Sequence, residues 1–466
     1  MKYASRSAFT PVDWLYAVVV LTSCALSSVA ACSVLLEQEV LGALMESDIV
    51  VVYNEVGRGL APLALCILIW RVVFACRYRA YAPLDDRKLP VVTVIIPAYN
   101  EGRQVLSTVR SVMASDYPAQ KLHVLCVDDG SRDDTWQWME AAAKEFPSIR
   151  LIRQPRNMGK RHALLAGFRQ AKSGVFVTLD SDSEVLPHTL RDLVSPFAHS
   201  PHVGAVAGNV RVLNLDKGLI PKLLDVSFTM SFDFLRRAQS VYGGVLCTPG
   251  ALSAYRAAAI LPVIDAWAAQ TFLGHAANIG EDRALTNVVL RRGFRVVYQK
   301  EAIVLTKVPE NYHSLSRMLL RWARSNVREC LVMSQFLYTN FRRRDGGGMW
   351  LRLDGSLELL LLPLIEAAKI GLLVNILAHP VIIVRLLTLG CVISAIVPAI
   401  VYQFRRPCLA GYLGALGYAV YWTACLSWIS FWGLLSAGRS GWLTRGLTSA
   451  AKPLSLELTK QPSQAA

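Results

Sequence analysis

Asp180 and Asp182 close the apolar run GVFVTL with one serine between them. Two carboxylates so placed can hold a hard divalent cation through oxygen. Mg²⁺ or Mn²⁺ bound there would keep coordination positions open for phosphate oxygens. A lone Asp-x-Asp is more often a turn stabilised by Asx hydrogen bonds. Two further acidic clusters at apparent strand ends shift the balance toward chemistry: Tyr99-Asn100-Glu101 after LPVVTVIIPA, and Asp128-Asp129-Gly130-Ser131 after LHVLCV. In DDGS the bland reading is a helix-capping turn. Asp133 and Asp134 can cap the next helix, which leaves Asp128 and Asp129 for another role. Asn157-Met158-Gly159-Lys160-Arg161 offers close backbone approach and two cations to a phosphate, or is only a solvated basic turn. Gly280-Glu281-Asp282-Arg283 opens a helix. Asp282 is there either an N-cap or a general base for a sugar hydroxyl.

A sixth stretch, SLSRMLLRWARSNVRE (314–329), puts Arg317, Arg321, Arg324 and Arg328 on one helical face. Basic amphipathic helices lie on membrane surfaces. This one is expected to lie along the cytoplasmic face of a membrane, with its arginines available to an anionic substrate.

The elements that must position these groups come from the texture of residues 88–330. Short apolar runs alternate with helical stretches such as GRQVLSTVRSVMAS and RHALLAGFRQAK. That alternation predicts a mainly parallel sheet with helices on both faces, an α/β domain with ligands beyond the carboxyl ends of its strands. The flanks differ. Residues 14–36 carry no charge, and 59–76 carry only Arg71. The acidic segment between them and the basic flanks place the N-terminus and everything after about residue 77 in the cytoplasm. Apolar runs return at 355–377 and 381–402, and 408–438 is expected as two short or tilted segments. The expected organisation is a membrane region with two spans over 1–80, a catalytic domain over 88–330, an interfacial amphipathic segment over 331–354, a membrane region over 355–438 and a cytoplasmic tail over 439–466.

Bulk properties agree. Of 466 residues, 53% are hydrophobic, and the net charge is +15. The mean hydropathy of +0.36 is too high for an ordinary soluble enzyme, and the charged middle is wrong for a pure membrane bundle. The positive excess suits anionic lipid or a phosphate-bearing substrate. No basic-aromatic module or zinc spacing supports nucleic acid. The ten cysteines form no CxxC pair and read as small buried apolar residues.

The motifs VIIPAYNE, VDDGSRDDT, GKRHAL, LDSDSE, GALSAYR, GEDRALTN and RWARSNVRE, in this order over residues 92–330, resemble the processive family 2 glycosyltransferases. The similarity is strongest to hyaluronan synthases and nodulation-type chitin-oligomer synthases. LLDVSFTMSFDFLRRAQSVYGGVLC (223–247) looks like the segment before that family's acceptor site. The resemblance implies a GT-A fold, a UDP-sugar donor, a growing polysaccharide as acceptor, and a multi-pass place in the cell membrane. Asp128 or Asp129 would take the uracil or ribose side, near Ala98, Tyr99 and Glu101, with Lys160 close to the nucleotide. Asp180 and Asp182 would carry Mg²⁺ or Mn²⁺ on the diphosphate. Asp282, beside Glu281, would be the base, and Arg321 and Trp322 would serve diphosphate and acceptor. The implied donor is UDP-GlcNAc, with UDP-glucuronate as a second donor in the hyaluronan-type case. The alternatives are a β-glucan synthase using UDP-glucose, a non-processive enzyme acting on a lipid carrier, and a silent membrane scaffold. The chain departs from the family at Met318, where glutamine is usual, and at Ala251, where hyaluronan synthases often carry proline. Methionine cannot donate a hydrogen bond. Trp322, Tyr255 and Trp350 are candidates to stack on sugar rings, against the simpler reading of interfacial aromatics.

Overall fold

The computed structural model describes residues 48–339, 341–342, 345–378, 380–405 and 410–439. The expected span at 14–36 and nearly all of the tail lie outside the described residues.

The body of the protein is built on an eight-stranded sheet in the order β3-β2-β1-β4-β7-β6-β10-β5. The strands are β1 (Val92–Ala98), β2 (Leu122–Asp128), β3 (Arg150–Arg153), β4 (Val175–Leu179), β5 (Ser183–Val185), β6 (Val203–Val212), β7 (Leu252–Arg256) and β10 (Arg295–Thr306). A two-stranded hairpin, β8 (Thr271–Phe272) and β9 (His275–Ala276), stands apart from it. β3, β2, β1 and β4 run parallel, as do β6 and β10; β7 and β5 run against their neighbours. Every residue of β1 and β4 is buried. That is why these strands read as unbroken apolar runs, as strands covered on both faces do.

The helices are α1 (Asp48–Arg77), α2 (Gln104–Met113), α3 (Thr135–Glu145), α4 (Lys160–Gln170), α5 (Thr189–His199), α6 (Leu219–Thr229), α7 (Glu281–Arg291) and α8 (Tyr312–Leu337). They are followed by α9 (Gly347–Ala378), α10 (Pro380–Arg405), α11 (Ala410–Tyr421) and α12 (Trp428–Leu435). Asn311 caps α8, its side chain accepting from the amide of Ser314 at 2.9 Å. Among the described residues, one stretch, Leu387–Arg405 in α10, is long and apolar enough to cross a membrane, with mean hydropathy 1.9. The cysteines described are all free.

Over the run 408–438, where two short or tilted segments are expected, the described residues form the short helices α11 and α12, joined by a π-type turn at Trp422–Leu426. Ser427 continues the helical path at φ −59° and ψ −29°. Such a turn takes up an extra residue without ending the helix. One expectation is corrected: half of the basic stripe of α8 turns into the protein rather than toward a membrane surface. Arg324 and Arg328 are 3% and 1% exposed, and both are held inside the protein. Arg324 Nε donates to Ser436 Oγ at 2.9 Å. Arg328 Nε donates to Glu329 Oε1 at 3.1 Å. Once α12 and the chain around Ile279 cover that face, a buried guanidinium needs acceptors, and these supply them.

Candidate active site

At the carboxyl ends of β1 and β2, two polar turns are laced together. The amide of Asn100 donates to Ser131 Oγ at 3.0 Å, and the amide of Arg132 returns to Asn100 Oδ1 at 2.9 Å. The amide of Glu101 donates to Thr135 Oγ1 at 2.8 Å. Asp133 accepts from the Thr135 amide at 3.0 Å, and Asp134 accepts from Trp138 Nε1 at 2.8 Å. These two therefore attend to the start of α3, as expected, though Asp134 does so through a side chain rather than a backbone cap.

Asp128 and Asp129 divide sharply. Asp128 is fully buried and away from the cleft. Its Oδ1 accepts from the Ser131 amide at 3.1 Å, and its Oδ2 lies 3.4 Å from Arg153 Nε. It holds the turn. Asp129 lines the cleft and accepts from the amides of Met158 at 2.9 Å and Gly159 at 2.8 Å. It pins the NMGK turn to the end of β2. Burial pushes its carboxyl up to about 7 against those two amides, and the neighbouring charge of Asp128 adds to the rise.

Lys160, the first residue of α4, reaches into the centre. Its ammonium pairs with Asp180 Oδ1 and lies 3.1 Å from Glu281 Oε1. Burial alone would lower its pKa, but Asp180 and Glu281 outweigh burial and hold it charged. Burial likewise works to raise Glu281, and Lys160 and Arg321 overcome it, leaving the carboxyl below its usual range. Asp282 behaves differently. Burial and then the charge of Glu281 raise it to about 6, with Lys160 opposing. It is not the N-cap of α7: Gly280 holds that place in the left-handed region at φ +72°. Asp282 instead accepts from its neighbour Arg283's amide at 2.7 Å and, through Oδ2, from the Gly250 amide at 3.2 Å.

Gly250 was not singled out from the sequence, although it begins GALSAYR. A Cβ there would lie 2.9 Å from Lys160 Nζ and 3.6 Å from both Asp180 Oδ2 and Asp282 Oδ2. It is the point where Lys160, Asp180 and Asp282 converge, and a Cβ there would press on the Lys160 ammonium.

These groups line one cleft of about 800 Å³. Ala98, Tyr99, Glu101, Asp129, Lys160, Asp180, Asp182, Glu281, Asp282, Arg321 and Trp322 all face it. From the strand ends it continues past Arg317 and Met318 to Tyr418, Trp422 and Ser430 on the C-terminal helices. Trp322 is 42% exposed and lies 6.4 Å from Phe228, ring to ring. Two expected stacking residues are elsewhere. Tyr255 is buried in the core, hydrogen-bonded to Thr248 at 2.8 Å, and Trp350 stacks on Trp70 at 5.5 Å. An aromatic residue in a motif cannot be told from a core aromatic by type alone.

Among the described residues no group of three or more His, Cys, Asp or Glu is arranged to hold an ion by itself. Asp180 and Asp182 on the cleft wall nevertheless fit Mg²⁺ or Mn²⁺. Such ions take one or two carboxylates and complete their shells with water and substrate phosphate.

Residues 90–325 match the model described as glycosyltransferase like family 2. The chain belongs to this family and is a glycosyltransferase. It is 36% identical over 255 residues to an N-acetylglucosaminyltransferase of Rhizobium meliloti, covering 54% of this chain and 59% of that protein. A second N-acetylglucosaminyltransferase, from Sinorhizobium fredii, is 31% identical over 371 residues, covering 78% and 86%. A hyaluronan synthase of Streptococcus pyogenes is 35% identical over 255 residues, covering 53% and 60%. The chain thus spans about six-tenths of the length of the first and third of these relatives. Among solved structures, a mannosyltransferase from Pyrobaculum calidifontis in complex with GDP-Man and Mn²⁺ superposes with TM-score 0.52 at 21% identity, over 78% of this chain and 97% of that one. That likeness establishes the GT-A fold.

Proposed function

We propose that this glycosyltransferase is a multi-pass protein of the cell membrane that polymerises a β-linked polysaccharide from UDP-sugars and passes it through its own membrane helices. UDP-GlcNAc is the donor, with UDP-glucuronate alternating in the hyaluronan-type case. One observation carries the reading: the cleft is continuous from Asp129 and Asp180 at the strand ends to Tyr418, Trp422 and Ser430 on the C-terminal helices. A transferase acting once on a small acceptor has no need of such a passage. Exposed apolar side chains on α1 (Leu65, Ile69), α9 (Leu360, Leu364) and α10 (Ile393, Ile396, Ile400) support embedding in lipid, with the sheet on the cytoplasmic side.

The chemistry follows from the positions. The donor lies with its nucleoside toward Asp129 and Tyr99 and its diphosphate toward Asp180, Asp182 and Lys160. Asp282 takes the proton of the acceptor hydroxyl. That oxygen bonds to the anomeric carbon as the bond to the diphosphate oxygen breaks on the opposite face, and UDP leaves with the electron pair. Lys160 and Arg321 meet the charge that grows on the diphosphate. Mg²⁺ or Mn²⁺, when bound at Asp180 and Asp182, supplies further Lewis-acid charge there. One base suffices, so no second carboxylate is needed opposite the sugar.

The test is incubation of the purified full chain in lipid with single and paired UDP-sugars. UDP release and digestion of the product by linkage-specific hydrolases are measured. UDP release with UDP-GlcNAc and a hydrolase-sensitive polymer are expected. Release with UDP-glucose alone overturns the donor, and a single added sugar overturns polymerisation.

A further inference from the structure

Behind the cleft, one fully buried carboxylate gathers three separate parts of the chain. Glu329 on α8 is 0% exposed. Its Oε1 accepts from Gln270 Nε2 at 3.0 Å and from Arg328 Nε at 3.1 Å. Its Oε2 accepts from Asn287 Nδ2 on α7 at 3.0 Å, and its main-chain oxygen accepts from the same amide group at 2.9 Å. Gln270 in turn accepts from Arg161 Nη1 at 2.9 Å, and Arg161 also donates to the Trp267 carbonyl at 2.7 Å. Trp267 Nε1 reaches the carbonyl of Glu281 at 3.3 Å.

The same face of α8 grips the loop before Glu281 and Asp282. Arg328 Nη2 donates to the carbonyl of Ile279. Gly280 sits so close to α8 that a Cβ would be 1.8 Å from Ser325 Oγ. Arg161 follows Lys160 in sequence, so the network also backs the lysine that joins Asp180 to Glu281. Two turns toward the N-terminus of α8 from Glu329, Trp322 and Arg321 face the cleft.

We infer that Glu329, with Arg328 and Gln270, is a positioning hub that fixes the Asp282 loop to α8, so that the proton acceptor and the cleft-facing Arg321–Trp322 pair move as one rigid body. Three donors converge on two oxygens that no water reaches, an arrangement only an ionised carboxylate satisfies in full. Glutamine has the same shape but turns an NH₂ toward one of the donors, so the loop must shift. Displacement of a catalytic group by about 1 Å can cost on the order of 10²-fold in rate. Donor binding depends on Asp129, Asp180 and Asp182 on the other wall, so it is not expected to follow.

The inference rests on Asp282 being the base, and the experiment separates the two. Glu329→Gln, Arg328→Lys and Asp282→Asn are prepared as full chains in lipid. Turnover of UDP-GlcNAc and the Kd for UDP, by calorimetry, are measured for each. The expected result is that Glu329→Gln and Arg328→Lys each lower kcat by about 10- to 100-fold while the Kd for UDP stays within about twofold. Restoring the pair in exchanged order, Gln270→Glu with Glu329→Gln, should recover part of the loss. Unchanged kcat in both single variants, with Asp282→Asn inactive, overturns the hub and leaves the base in place. Turnover retained in Asp282→Asn overturns the base itself. A parallel loss of UDP binding, or failure of both hub variants to fold, reduces the network to general stability and also overturns the inference.

Discussion

The two ends of the cleft are built by different means. The end proposed for the nucleotide is made of turns at the ends of adjacent parallel strands, closed by main-chain amides. Asp129 is held by the amides of Met158 and Gly159, and Asn100 by hydrogen bonds with Ser131 and Arg132. The end proposed for the acceptor is made of side chains from helices far apart in sequence: Phe228 on α6, Met318 and Trp322 on α8, Tyr418 on α11. A site wired to backbone tolerates little change in its own residues but is indifferent to distant helices. A site assembled from helix faces depends on how those helices pack. Gly250 and Lys160 stand at the seam.

The sharpest break in this comparison is at the acceptor side of the seam. Asp282→Asn should lower transfer by about 10²- to 10⁴-fold, the range for removing a positioned base. UDP affinity, measured in parallel, should hold, because the nucleotide end is separate. Gly250→Ala should come next. Its Cβ would meet the Lys160 ammonium at 2.9 Å. Both turnover and UDP binding should fall, roughly 10- to 100-fold in turnover, as expected when a 1 Å shift reaches both walls; a change in one alone would move the seam elsewhere.

The acid limb of the rate profile gives a third measurement. As the proposed base, Asp282 would work only when ionised; raised to about 6, it is competent above that pH and lost below it. Turnover should be flat above pH 6 and fall about tenfold per unit below it. An acid limb near the ordinary carboxylate range would say that the cleft is wetter than its geometry implies.

At the nucleotide end, Asp129→Asn keeps one acceptor oxygen for two amides. It should weaken UDP binding by about tenfold, the scale of one charge-assisted hydrogen bond of about 1.5 kcal/mol, with kcat little changed. Arg153→Ala should do least. Arg153 is 53% exposed and only flanks the buried Asp128 at 3.4 Å. Its removal should change UDP affinity by less than about twofold, because Arg153 is half exposed, lies off the cleft, and leaves Asp128 held by the Ser131 amide.

The same contrast explains what could be read in advance. Asp180, Asp182, Asp129 and Asp282 were legible because each stands at the end of a local pattern, an apolar strand or a helix start, and the sheet brings such ends together. The choice between Asp128 and Asp129 was not. It depends on which carboxylate meets the amides of Met158 and Gly159, some 30 residues away. Tyr255 and Trp350 misled because their neighbours, Thr248 and Trp70, come from tertiary packing. Gly250 was invisible because its role is to have no side chain. The stripe on α8 was read with the right period but the wrong neighbour: helical spacing puts Arg324 and Arg328 on one face and says nothing of what covers it.

That inward turn of the stripe changes what the formal charge means. Of the +15 carried by the chain, the guanidinium groups of Arg161, Arg324 and Arg328 sit at 1%, 3% and 1% exposure. Glu329 answers one of them inside the fold. Burial leaves the total unchanged, but these three guanidinium groups cannot touch a lipid phosphate, so direct contact with an acidic bilayer falls to the cations that remain at the surface.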